Sequence, residues 1–133
     1  MQFNDAAPPL MLRANALRGT REAIQRALED AGVETTPARY APRGIAVVEG
    51  NPLHTPNDGS FFVQDEASQL VALAAGARPD ERILDLCAAP GGKTTAMAAD
   101  MGDHGLVIAS DVRPRRLTLL QQTGLGTRWL WDY

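Results

Sequence analysis

Residues 83–94, ILDLCAAPGGKT, are where this sequence could do chemistry. An apolar run gives way to small residues and then to Gly91, Gly92, Lys93 and Thr94. A glycine-lysine-threonine ending suggests a phosphate loop, in which successive backbone N–H groups cradle a triphosphate. That loop needs the spacing G-x-x-x-x-G-K-[ST]. With Gly92, Lys93 and Thr94 as its second half, the first glycine belongs at position 87, which is Cys87, and Pro90 sits inside the loop. There is no G-x-G-x-x-G either, so a dinucleotide pyrophosphate is equally poorly served.

A second residue narrows the choice. Asp111 follows the next apolar run, about twenty residues beyond the loop, where a carboxylate can accept hydrogen bonds from both hydroxyls of a ribose. Ala88, Ala89, Gly91 and Gly92 are small enough for backbone to approach a ligand closely. A tight loop without a phosphate nest, together with a ribose acceptor, suits an adenosine that carries no phosphate. S-adenosylmethionine is such a ligand. Other roles stay open at this point. Asp111 could cap the helix that follows it. Asp85, between Leu84 and Leu86, could orient the loop or lie near the methionine end of the ligand. Lys93 could be solvated or could meet the ligand's carboxylate, and Cys87 reads as a small buried residue rather than a reactive thiol.

Such a loop needs a strand before it and a helix behind it, and the flanking pattern supplies both. Residues 82–88 read as a strand, 93–101 as a helix, 105–111 as a second strand, and 114–122 as a second helix with Pro114 in its first turn. Strand and helix alternating through short connections imply parallel strands in a Rossmann-like sheet. Upstream, 61–76 read as a short strand or extended entry leading into a helix whose apolar stripe is Ala67, Leu70, Val71 and Ala74. The loop-like 51–60 marks an internal boundary at residue 58. Before it, 10–17 alternate like a strand. Thr20 caps a helix with Ala23, Ile24, Ala27, Leu28 and Ala31 on one face, and 44–50 form another strand. The expectation is an α/β chain with a small unit over 1–58, part of a Rossmann-like domain over 59–122, and a divergent tail over 123–133.

The gross numbers fit a compact protein. The 133 residues are 44% hydrophobic with a net charge of −3, which argues against a protein that coats nucleic acid indiscriminately, although a local basic groove stays possible. The single cysteine allows no internal disulfide framework and fits a reducing compartment. The N-terminus lacks the basic-then-apolar pattern of a signal peptide, and no apolar run has membrane-spanning length. A cytoplasmic protein without a membrane or metal partner is expected.

The residues FFVQDEASQL (61–70), ILDLCAAPGGKTTAMAA (83–99) and IASDV (108–112) together resemble the RsmB/NOP family of RNA (cytosine-5)-methyltransferases, in its bacterial ribosomal RNA branch. The resemblance extends over residues 8–122, because PPLMLRANAL and TREAIQRALEDAGVE are similar to the small RNA-binding subdomain that precedes the catalytic domain in that family. It implies a Rossmann-like S-adenosylmethionine-dependent methyltransferase acting on RNA. The cofactor loop carries over to Cys87, Ala88, Ala89, Pro90, Gly91, Gly92 and Lys93, and the ribose carboxylate to Asp111. The family's chemistry adds a cysteine thiolate to carbon-6 of cytosine, and a second cysteine helps product release. Those cysteines sit in Asp-x-Pro-Cys and Thr-Cys-Ser segments that this sequence lacks, while Cys87 aligns with the cofactor loop. No residue here is therefore expected to be catalytic. The tail TGLGTRWLWDY departs from the family pattern, which suggests a truncated or frameshifted chain with only two strands of its sheet. Two further functions compete with a methyltransferase fragment: a non-catalytic RNA-binding adaptor on the same scaffold, and a phosphate-loop nucleotidase.

Overall fold

The computed structural model describes residues 9–113, 115, 116, 118, 130 and 131. Seven strands and three α-helices are assigned among them. The first sheet is antiparallel, with strand order β2-β3-β1-β4. Its strands are β1 (Met11–Ala14), β2 (Glu34–Pro37), β3 (Gly44–Glu49) and β4 (Phe61–Val63), and α1 (Arg21–Asp30) connects β1 to β2. The second sheet is parallel, in the order β5-β6-β7, built from β5 (Arg82–Asp85), β6 (Leu106–Ala109) and β7 (Leu130–Trp131). Between the sheets run α2 (Glu66–Ala75) and, joining β5 to β6, α3 (Gly92–Asp100).

Local chemistry sets the helix ends. The Thr20 side chain accepts a hydrogen bond from the Ala23 N–H and starts α1, as expected. Asp65 does the same for α2, taking the Ser68 N–H at 2.8 Å. The core of the first sheet gathers Leu12, Ala14, Phe61 and Ile45 against Ile24 and Leu28 of α1. Leu12 and Ala14 point to α1, so Arg13, between them, points to the opposite face. Phe62 lies across from Arg13 in the β1–β4 register, and the guanidinium stacks over its ring at 4.8 Å.

Five expectations change. The strand β4 is hydrogen-bonded to β1, so the first sheet runs past the boundary expected at residue 58. The strand β2, missing from the sequence reading, pairs with β3 through a stretch in which only Thr35 is buried. The α2 stripe is not the packed face: Ala67, Val71 and Ala74 are exposed, and Gln69 and Ala72 are buried instead. Gln69 can be buried because its Nε2 donates to the carbonyls of Leu12 and Gln64, at 3.1 and 2.9 Å. Finally, the tail supplies β7, parallel to β6 with Ile108 opposite Leu130, so the described sheet has three strands rather than two. On α1, Ile24 and Leu28 are buried with Gln25, whereas Ala23, Ala27 and Ala31 are not. The helix expected over 114–122 lies mostly outside the described residues.

Candidate functional site

The loop after β5 is held by two carboxylates from neighbouring strand ends. The Asp85 Oδ1 atom accepts the Cys87 N–H at 3.1 Å, and its Oδ2 accepts the Thr94 hydroxyl at 2.6 Å, strapping the start of the loop to α3. Thr94 is fully buried. One strand over, the Asp111 Oδ2 atom accepts the Ala89 N–H at 3.2 Å, while Oδ1 accepts the Arg113 N–H at 2.9 Å. The Ala88 N–H donates to the Ser110 carbonyl at 3.0 Å, extending the β5–β6 pairing into the loop.

The N–H groups of Cys87, Ala88 and Ala89 are therefore all engaged within the protein, and Pro90 has none. This part of the loop has no donors to offer a phosphate. Ala88 and Ala89 are buried, Gly91 has φ 109° in the left-handed region at the start of α3, and Lys93 is exposed. The structure thus brings Asp111 against the loop at Ala89, while residues 87–93 run from the end of β5 into the first turn of α3. The Asp111 carboxylate braces the 111–113 turn and retains a second lone pair on each oxygen. Asp85 is an orienter of the loop. Cys87 is exposed, not buried as expected, with its N–H held by Asp85.

Sequence reasoning missed the support behind the loop. Arg13 is 2% exposed, and its Nε donates to Gln64 Oε1 at 2.6 Å while Nη2 donates to Thr95 Oγ1 at 2.8 Å and to the Gly92 carbonyl at 3.3 Å. Burial pushes its pKa down to about 10, with the charge of Arg43 adding to the effect and that of Asp100 opposing it. Gln64 lies so close over Gly92 that a Cβ there would stand 3.2 Å from its Nε2. Two further ties join the same elements. Arg43 pairs with Asp100 at 2.6 Å, and Glu66 accepts the N–H groups of Tyr40 and Ala41, which holds its carboxyl below the usual range. Asp65 is also held low, chiefly by its bonds to Ser68, with the nearby positive Lys93 contributing. The only sequence-level signal for this group was the run FFVQDEASQL, which carries Gln64, Asp65 and Glu66.

An antiparallel unit with strand order β2-β3-β1-β4, followed by a parallel sheet with a small-residue loop at the carboxyl end of β5, defines a methyltransferase-type α/β protein with an N-terminal ferredoxin-like unit. The chain belongs to the RsmB/F methyltransferase family: the family described as 16S rRNA methyltransferase RsmB/F matches residues 72–130, and its ferredoxin-like domain matches residues 1–54. Among its relatives is the probable ribosomal RNA small subunit methyltransferase B of Synechocystis, 36% identical over 94% of this chain and 30% of that protein. The human 28S rRNA (cytosine(4447)-C(5))-methyltransferase is 33% identical over 88% of this chain and 15% of its own length. A solved methyltransferase homologue from Pyrococcus horikoshii superposes with a TM-score of 0.83 at 25% identity, over 96% of this chain and 44% of that one. The chain thus spans less than a third of the length of these two sequence relatives. No helix among the described residues is long and apolar enough to cross a membrane.

Proposed function

We propose that this chain binds S-adenosylmethionine in the crevice formed by Cys87, Ala88, Ala89, Pro90, Gly91, Gly92, Lys93 and Asp111, as the cofactor-binding part of an RNA (cytosine-5) methyltransferase acting on ribosomal RNA. The observation that carries the reading is the internal use of the Cys87, Ala88 and Ala89 N–H groups beside Pro90. The part of the loop so spent offers no amide to a phosphate, and its small residues leave room for an uncharged adenosine. Each Asp111 oxygen keeps a lone pair that can accept a ribose hydroxyl. When bound, S-adenosylmethionine supplies an electrophilic methyl group. The chain's own residues bind and orient: Asp85 and Thr94 fix the loop, Asp111 receives the ribose, and exposed Lys93 is available to the ligand's carboxylate. The antiparallel unit, taken through β4 because that strand completes its sheet, carries RNA.

Cys87 is the only cysteine of the 133 residues and belongs to the cofactor loop, so the chain alone supplies no thiolate for cytosine. That observation also favours a second reading, a non-catalytic RNA-binding adaptor on the same scaffold. Titration calorimetry with S-adenosylmethionine, ATP and a ribosomal RNA fragment tests both. Saturable S-adenosylmethionine binding that is lost in Asp111→Ala, with no ATP binding and no methyl transfer by the chain alone, is the expected result. RNA binding without any affinity for S-adenosylmethionine would leave the adaptor.

A further inference from the structure

Arg13 is anomalous for its place. It stands in an inner strand of the first sheet, almost fully buried, and among the described residues no carboxylate is bonded to its guanidinium. Its acceptors are neutral: an amide oxygen, a hydroxyl and a backbone carbonyl. Its Nη1 atom has no hydrogen-bond partner among the described residues. Burying a cation on neutral acceptors is less favourable than placing a methionine or leucine there. Packing alone does not account for an arginine at this position.

The places where its bonds land do account for it. A guanidinium is a planar fork that can serve two partners in fixed relative geometry, which a lysine cannot do. Here Nε takes Gln64, just after β4, and Nη2 takes Thr95, in the first turn of α3. The Thr95 hydroxyl in turn reaches the Gly91 carbonyl at 2.7 Å and the Gly92 carbonyl at 3.2 Å. Gln64, held by the same guanidinium, packs close over Gly92. The two glycines that end the loop have little conformational preference of their own, so their carbonyls go where this joint holds them.

We infer that Arg13 is a positioning residue for the cofactor loop: from β1 it fixes the Gly91–Gly92 backbone, so that the antiparallel unit sets cofactor affinity without touching the cofactor. This rests on the reading of residues 87–93 as an S-adenosylmethionine site. A role confined to stability would loosen the whole fold, whereas positioning acts on the loop and depends on the guanidinium group itself.

The test uses the full chain and Arg13→Ala, with S-adenosylmethionine titrated by calorimetry and amide exchange followed over residues 88–95. Both are repeated with millimolar guanidinium chloride and with sodium chloride at equal ionic strength. Arg13→Ala is expected to weaken binding by about tenfold or more and to speed exchange over 88–95 while α1 and β3 stay protected. Guanidinium restores both and sodium chloride neither. Wild-type affinity in Arg13→Ala, or a loss that guanidinium does not restore in a folded variant, overturns the inference. If Arg13→Ala does not fold, Thr95→Val cuts the same joint from the loop side, and unchanged affinity there is equally decisive against it. Should the wild-type chain bind no S-adenosylmethionine, the functional reading fails separately. Exchange over 88–95 then decides on Arg13 alone: faster, guanidinium-restored exchange upholds the positioning, and unchanged exchange rejects it.

Discussion

The Thr95 hydroxyl, in the first turn of α3, accepts a 2.8 Å hydrogen bond from Arg13, which lies 82 residues earlier on β1. The bond ties the first sheet to α3. The Arg43–Asp100 pair and the Glu66 cap on the 40–41 backbone span the same divide. The antiparallel unit and the methyltransferase-type unit therefore meet through polar groups of fixed direction, which specify a register more sharply than apolar contact does.

In the proposed reading, Asp111 is the residue that receives the ribose. Asp111→Ala is expected to reduce S-adenosylmethionine affinity by about 10–100-fold, since charged hydrogen bonds to the ribose are lost. Lys93→Ala, which removes an exposed ammonium, should change it by about fivefold or less. Calorimetric titration of both variants beside the wild type separates them. Equal effects would assign the ligand's anchoring to charge rather than to the ribose.

Thr94→Val is the cleanest way to release the loop from α3. It keeps the side-chain volume but removes the 2.6 Å bond to Asp85, in a fully buried position. Unfolding in urea should show a loss of about 1–3 kcal/mol. Asp85→Asn, which can still accept one of the two bonds, should cost less.

Acid should open the clasp at Glu66. Its carboxyl is held below the ordinary range, first by the Ala41 N–H and then by the Tyr40 N–H. A carboxylate with a depressed native pKa contributes stability that is present above the ordinary value of about 4.3 and is lost as pH falls through the native pKa. Melting temperatures of the wild type and Glu66→Gln should therefore differ at neutral pH and converge as pH falls below the ordinary carboxylate range. Asp65, also held low, keeps some pH dependence in the variant. Parallel melting curves at every pH would show that Glu66 does not bear on stability.

Gly91 has a conformation that side chains resist. At φ 109° a Cβ is strained, and Gly91→Ala should destabilise the chain by about 1–2 kcal/mol. Loop-amide exchange should speed at the same time. A neutral effect in thermal melts would mean that the loop relaxes around the substitution.

The elements with strong local signals were legible. Thr20 and Asp65 mark their helices, and the alternation from residue 82 onward gives parallel β5 and β6 around α3. That Asp111 lies beside the loop was legible because parallel neighbouring strands end side by side, and the Ala89 N–H bond to Asp111 is that contact. What stayed hidden depended on partners distant in sequence. The segment containing β2 has one inward residue, Thr35, and no apolar alternation to announce it. On α2 the hydrophobic stripe misled, because Gln69 finds backbone acceptors in Leu12 on β1 and Gln64 after β4 and so takes the buried face. Arg13 looked like the polar half of an alternating strand. It is covered only because α2 and α3 lie over the face of the sheet opposite α1, which no local pattern reveals.

The contact between Gln64 and Gly92 bears on any attempt to recombine this chain with its relatives. A chimera crossing over near residue 58 would inherit Arg13 from one parent and Gln64, Gly92 and Thr95 from the other. The guanidinium fork and the amide above the glycine would then have to match between parents. Transplanting residues 9–64 together with the first turn of α3 keeps the set intact, so viable hybrids should segregate by that block rather than by the visible boundary between the sheets.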